Sequence, residues 1–243
     1  MTKALLLVML LCTGLMAQTP ISKTIPVKAG QQIRMSFDYP ELIKVSTWEK
    51  SEISIQGTVT INFGDNDDAF ELENLEIDNV IDIRSRIKDL KNLPKRYIVY
   101  REDGKKVIFK DKDEFRKYHA ENGHYNSMST GPDIDIFLEI KVPSGTATEI
   151  ESVYGMVEVR SFTGPLTVEA KYGGVDAALN ERMVGELLAE TNYGQIYSNL
   201  DIKLGGDEYG QRDFHTIVSA KPGTGPRYDF ESKYGNVYLR KEN

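Results

Sequence analysis

Four stretches in the last third of the chain share one register: ESVYGMV from Glu151, EAKYGGV from Glu169, ETNYGQI from Glu190 and ESKYGNV from Glu231. Four residues before each tyrosine stand Ile150, Val168, Ala189 and Phe230, and two before it Ser152, Ala170, Thr191 and Ser232. Three residues after it come Val157, Val175, Ile196 and Val237, and five after it Val159, Ala177, Ser198 and Leu239. Apolar or small positions are therefore even before the Tyr-Gly pair and odd after it. A strand has a side-chain period of two, so its alternation slips by one residue only through a bulge or a corner. The pattern predicts two strands joined at a corner. Tyr154, Tyr172, Tyr193 and Tyr234 are expected to pack inward, rung on rung. Gly155, Gly173, Gly194 and Gly235 are expected to turn the chain, because glycine accepts backbone angles closed to other residues.

The tyrosines are separated by 18, 21 and 41 residues. A strand-rich period near twenty implies stacked coils, each burying its apolar face only against its neighbours. A leucine-rich repeat has a similar period, but its leucine ladder and recurring helix are missing. Tyr209-Gly210 is out of register, with Gly206 where a glutamate should stand. Residues 201–213 therefore read as a loop. Phe214 to Ala220 reads as a coil lacking its Tyr-Gly, which makes the interval of 41 a double period.

Glu151, Glu169, Glu190 and Glu231 fall on the opposite strand face from the inward set. Stacked at a rung spacing of about 4.8 Å they form an acidic ladder. Lys171 and Lys233, two positions along, offset part of its charge. Two readings stand: a site for a cation or basic ligand, or a solubilising outer face that discourages lateral aggregation. The second is favoured, because one strand face offers no convergent pocket.

Upstream, Ile33 to Phe37, Ile53 to Ile55, Val59 to Ile61 and Ile134 to Val142 alternate or run apolar as half-buried strands do. Gly64 to Asp68 is a polar loop; its acidic spacing lacks the glycine and terminal glutamate of a calcium loop. RYIVYREDGKKVIFK, from Arg96, is a hairpin with Asp103-Gly104 suited to a type I′ turn. Asp111 then opens a short helix with Glu114 in capping-box position, Phe115 and Tyr118 on one face and Gly123 as a stop. Between Arg84 and Lys117 stand thirteen Lys/Arg against six Asp/Glu, a net of +7 within a chain of net −7. A basic arm, including Lys105, Lys106, Lys110 and Arg116, thus sits on an acidic body.

The first seventeen residues carry Lys3, an apolar run from Ala4 to Leu11 and Met16-Ala17 before Gln18, which reads as a secretory signal. They are too short to span a bilayer, and no later stretch offers about 18 apolar residues. Cys12, the chain's one cysteine, lies inside this segment. Lipid anchoring there is disfavoured because bulky Met9, Leu10 and Leu11 precede it. The reading divides the chain into 1–17 signal peptide, 18–63 first β coils, 64–132 charged insertion with hairpin and helix, and 133–243 Tyr-Gly repeats.

The segment IPVKAGQQIRMSFDYPELIKVSTWEKSEISIQG, followed by LEIKVPSG and the repeats, resembles the secreted bacterial "putative adhesin" family, which includes domains of unknown function related to the head GIN domain group. Val142-Pro143-Ser144-Gly145 matches that family's strand end, and the Tyr-Gly corners stand where it commonly has Asn-Gly. The resemblance implies an all-β fold: a short right-handed β-solenoid, here with an inserted hairpin and helix, at the envelope or outside the cell. Tyr-Gly, the glutamate ladder and the basic insertion depart from the family pattern.

Catalysis is disfavoured. His119 and His124 are wrongly spaced for two ligands on one helical face, and neither a nucleophile elbow nor a phosphate-cradling loop is present. Asp133, Asp135 and the glutamates leave a polysaccharide lyase or hydrolase as the third reading. The first is an exported, non-catalytic binding protein without cofactor or metal, its partner a glycan, an envelope component or a protein. The second is an envelope structural or regulatory component whose basic arm docks an anionic partner, against an arm that folds onto its own acidic body. Export and the acidic total disfavour nucleic acid. Periplasm, outer-membrane surface and extracellular space are all compatible with export.

Overall fold

The computed structural model describes residues 18–206 and 214–242. The segment 1–17 expected to be a signal peptide, with Cys12, lies outside the described residues, as do the Tyr209-Gly210 pair and most of the loop around it. The chain opens with β1 (Thr19–Pro26), β2 (Gln32–Phe37), β3 (Leu42–Trp48) and β4 (Glu52–Ile61). It continues through β5 (Phe70–Ile77), β6 (Val80–Ile87), β7 (Arg96–Tyr100), β8 (Lys106–Phe109), helix α1 (Lys112–Asn122), β9 (Ser127–Gly131) and β10 (Ile134–Pro143). Strand pairs flank each corner thereafter: β11 (Thr148–Ser152) and β12 (Met156–Val159), β13 (Leu166–Ala170) and β14 (Val175–Leu179), β15 (Glu186–Thr191) and β16 (Ile196–Ser198). After β17 (Gly205–Gly206) and β18 (Thr216–Ala220) come β19 (Arg227–Ser232) and β20 (Val237–Lys241) around the last corner.

The strands build two large open sheets. One has the order β1-β4-β10-β3-β12-β14-β20-β16, the other β17-β18-β15-β19-β13-β11-β2-β6-β5. The strand before each Tyr-Gly lies in the second sheet, the strand after it in the first, and neighbouring coils pair in parallel. Alternate residues of both sheets meet in one core. Its rows run across coils in register: Met35, Ile150, Val168, Phe230, Ala189 in one sheet and Ile43, Val157, Val175, Val237, Ile196 in the other. The period-two alternation has this cause, since each inner residue packs on its equivalents one rung away.

The order of those coils is not the order of the sequence. β19 lies between β13 and β15, and β20 between β14 and β16. The last coil is thus inserted between the second and third Tyr-Gly coils. This corrects the double-period account of the spacings. The 18 residues from Tyr154 to Tyr172 climb one rung, whereas the 21 from Tyr172 to Tyr193 climb two. Three extra residues, at about 3.3 Å each, suffice for the extra rung. The 41-residue interval returns the chain one rung. Thr216 to Ala220 is not the missing coil: β18 pairs antiparallel with β15 and covers that end of the sheet.

Residues 64–132 are not one insertion. β5 and β6 belong to the nine-stranded sheet, β6 lies parallel beside β2, and Ile81 and Ile83 enter the common core. The basic residues along β6 and just after it are paired locally, Arg84 with Asp82 of its own strand, Arg86 with Glu71 and Glu73 of β5, and Lys88 with Glu71. Only β7 to β9 with α1 stand apart, as a three-stranded sheet under a helix. Asp111 caps α1 by accepting from Asp113 N and Glu114 N, and Glu114 in turn accepts from Lys110 N. The hairpin turn differs from type I′. Gly104 has φ 77° while Asp103 is not left-handed, and Gly104 N donates to Arg101 O. That is a type I turn closed by a left-handed glycine.

Candidate functional site

The tyrosines stack, but on the outside. Their rings form a continuous ladder in the order Tyr39, Tyr154, Tyr172, Tyr234, Tyr193, Phe214. Centroid separations between the four repeat tyrosines are 5.1–5.3 Å, with planes within 14° of parallel. Tyr154, Tyr172, Tyr193 and Tyr234 remain 44–59% exposed, so the expected inward packing is overturned. The inward turn belongs to Ser152, Ala170, Thr191 and Ser232, all buried at 0–2%. Tyrosine sits at the slip itself, where sequence parity no longer assigns a face. Tyr39-Pro40 supplies a further rung that a search for Tyr-Gly misses; a tyrosine following the strand Ile33 to Phe37 was the available signal.

The glycines do a different job from the one expected. None of Gly155, Gly173, Gly194 and Gly235 has positive φ. A Cβ on Gly155 would lie 2.0 Å from Pro40 O, on Gly173 1.9 Å from Gly155 O, on Gly235 2.0 Å from Gly173 O, and on Gly194 1.8 Å from Gly235 O. Each corner therefore nests on the carbonyl of the corner beneath. Buried hydroxyls tie the nest together. Ser232 Oγ donates to Gly173 O (2.8 Å) and accepts from Gly235 N (2.9 Å), and Thr191 Oγ1 repeats this one rung on with Gly235 O and Gly194 N.

The glutamates form a row beside the ladder, in the spatial order Glu151, Glu169, Glu231, Glu190. Its ends are closed by Ser36 Oγ, which donates to Glu151 (2.9 Å), and by His215 Nε2, 2.7 Å from Glu190. Lys171 and Lys233 lie between the carboxylates and the rings, their ammonium groups 5.3 and 5.6 Å from the Tyr172 and Tyr234 centroids. Glu151, Val153, Glu169, Lys171, Glu231 and Lys233 line a shallow groove there. Partial burial, then the charges of Glu231 and Glu151, raise Glu169 above its ordinary pKa. Burial, then Glu190 and Asp229, raise Glu231, with His215 and Lys233 pulling back.

A carboxyl whose folded pKa is raised adds stability only when protonated. That contribution is full below the unfolded value and is lost as pH rises through the folded one. Glu169→Gln combined with Glu231→Gln is therefore expected to raise Tm at pH 7 by about 1–2 °C after solvent screening. The gain should vanish in thermal scans taken below about pH 4.

The basic-arm residues do not converge. Lys106 Nζ reaches from β8 to the body, 2.7 Å from Asp133 and 3.2 Å from Asp135. Burial lowers its pKa, but the two aspartates outweigh this and the net direction is upward. Arg116 pairs with Asp113 within α1 at 3.4 Å, and Lys105 lies 3.8 Å from Asp103. Lys110 contributes its backbone N–H to Glu114 (2.9 Å). Asp133 and Asp135, the alternative catalytic pair, are thus the anchor for Lys106. Asp135 also faces Glu41, whose pKa is raised by burial and then by that neighbour.

A buried polar knot that the sequence did not announce holds the arm to the body. Asn62, at 0% exposure and φ 55°, donates from Nδ2 to Asn66 Oδ1 (2.8 Å) and Pro94 O (2.9 Å), and its Oδ1 accepts from Asp133 N (3.0 Å). Buried Arg96 reaches Asp65 at 3.0 Å. Asp67 accepts from Ile61 N and from Thr19 Oγ1, both at 2.6 Å. Among the described residues no group of three or more His, Cys, Asp or Glu side chains is arranged to hold a metal ion. No helix among them is long and apolar enough to cross a membrane.

Fold and site together define an all-β protein of two open sheets around one core, carrying an exposed aromatic ladder beside a carboxylate row. No protein-family model and no curated protein matches the chain. Among solved structures, a "putative cell adhesion protein" from Clostridium sporogenes is similar over 93% of this chain and 100% of its own, at 9% identity and a TM-score of 0.46. A "putative adhesin" from Bacteroides fragilis is similar over 93% of this chain and 98% of its own, at 13% identity and a TM-score of 0.29.

Proposed function

We propose that the chain is an exported, non-catalytic binding protein of the adhesin-like class, built as a short β-solenoid, and that it binds along the Tyr–Glu face. One observation carries this reading: six aromatic rings stack in an unbroken row, half-buried at Tyr39 and exposed at the other five, with the four repeat tyrosines about half exposed. Single exposed apolar residues need no explanation, but a contiguous stripe of this kind is the usual mark of an interaction surface. Tyrosine suits the role because it offers rigid amphipathic area at low entropic loss. The carboxylates stand in a regular open row rather than converging on a cleft, which supports binding over hydrolysis. The basic arm is the weaker candidate surface, since Lys106 is held by Asp133 and Asp135 of the body.

The ladder can be broken without touching the core. Tyr172→Ser combined with Tyr234→Ser removes two adjacent rings that are 48% and 44% exposed. In a screen of glycans and envelope fractions against the chain after residue 17, this variant is expected to lose at least about tenfold in affinity, as removal of paired aromatic anchors does. Unchanged binding in the ladder variant, with loss on Lys110→Glu and Arg116→Glu instead, would move the function to the arm.

A further inference from the structure

The last coil fills a slot that the rest of the chain is able to close. Glu169 lies opposite Glu231, and Glu231 opposite Glu190; Val175 lies opposite Val237, and Val237 opposite Ile196. With β19 and β20 withdrawn, β13 can therefore meet β15, and β14 meet β16, with no change of phase. Gly194 would nest on Gly173 O as Gly235 does now. The connection from Ala177 to Leu187, which at present climbs two rungs, is three residues longer than its register equivalent from Val159 to Leu166, which climbs one, so it spans a single rung with slack. The inserted coil also follows, in sequence, every strand with which it pairs. It is tethered by residues 221–226, Lys-Pro-Gly-Thr-Gly-Pro, all outside the core. Six extended residues reach about 20 Å.

We propose that residues 227–241 are an exchangeable donor coil that fills its own slot in the monomer and the slot of a second copy in assemblies. The occupant is a second copy because the slot is matched on every row at once. Phe230 and Val237 enter the core at 0% exposure, Ser232 Oγ binds Gly173 O, and Tyr234 stacks 5.1 Å from both Tyr172 and Tyr193. An unrelated strand can satisfy the ladder hydrogen bonds but not the glycine nest, where any Cβ at position 235 lies 2.0 Å from a carbonyl oxygen. Donation of this kind joins copies head to tail, as strand addition does elsewhere. Unless the rotation closes, such contacts extend into a filament. Multiple copies in line would lengthen the aromatic ladder, but the exchange itself does not depend on what that ladder binds.

Cross-linking tests this directly in the full chain carrying Cys12→Ser. Residues 169 and 231 are register partners on neighbouring strands, within the roughly 4.4–6.8 Å Cα range that a disulfide bridges. Glu169→Cys with Glu231→Cys in one chain should close internally under mild oxidation. The two single variants, mixed at high concentration and cycled through partial denaturation, should form a mixed disulfide dimer. Its yield should exceed that of Glu169→Cys mixed with the surface control Glu139→Cys by about tenfold, because exchange raises the local thiol concentration. A yield no higher than the control, with the double variant closing internally, would overturn the proposal. Failure of the double variant to close would overturn it as well, since the slot would then not exist. Neither result bears on ligand binding by the tyrosine face.

Discussion

Gly235→Ala should lower Tm by about 10 °C or more, the equivalent of some 3–5 kcal/mol in a chain of this length. The added Cβ would lie 2.0 Å from Gly173 O, where real contacts are essentially never under 3.0 Å. The obstacle is backbone rather than the end of a flexible side chain, and both coils are held by parallel ladders on either side. Relief therefore requires the coils to separate, which exposes Phe230 and Val237. Gly131→Ala, in β9, meets nothing within 4 Å and has no positive φ. It should stay within about 0.5 kcal/mol of the parent, as surface changes usually do. Thermal unfolding followed by circular dichroism compares the two. Equal midpoints would show that the corners are not nested and that another reason for glycine is needed.

Asn62→Ala is expected to cost about 3–5 kcal/mol and to loosen the arm before the body. The change removes two donated bonds and strands the buried Asp133 N–H, and unsatisfied buried groups cost about 1–3 kcal/mol each. It also places alanine at φ 55°, where asparagine is better tolerated. Asn62→Gly separates the two causes, since it relieves the backbone but not the bonds. Denaturant melts give the total. Amide exchange gives the location: protection should fall first in β7 to β9 and α1, which join the body through Pro94, Arg96 and Lys106. A uniform loss of protection in both parts would show that the knot supports the two large sheets as well.

Local features were legible wherever a short-range cause sets them. Asp111, Glu114 and Gly123 bound the helix because orphan backbone groups at its ends need partners within a turn. The slip at each Tyr-Gly marked a corner, because strand parity is a property of the chain alone. The side on which tyrosine lies was not legible. At the corner the strand has ended, and ring direction is decided by the neighbouring rung. The glycines suggest left-handed turns because that is their commonest use. Their cause is the carbonyl of another coil, 18 to 115 residues away in sequence and unmarked by any local pattern. Tyr39-Pro40 escaped for a related reason. It ends the run of nested corners, so proline is tolerated at a position that elsewhere requires glycine.

An all-β chain, coils with equivalent inner rows and a bend at each tyrosine are written in the residue pattern. These follow from alternation and spacing, which act over a few residues. The order of the coils is a tertiary outcome. Val or Ile stands opposite Val along one sheet and glutamate opposite glutamate on the outer face of the other, so these two rows do not distinguish one order from another. The choice falls to the connections: three additional residues before Tyr193 let the chain climb two rungs, and the last coil returns to fill the one between.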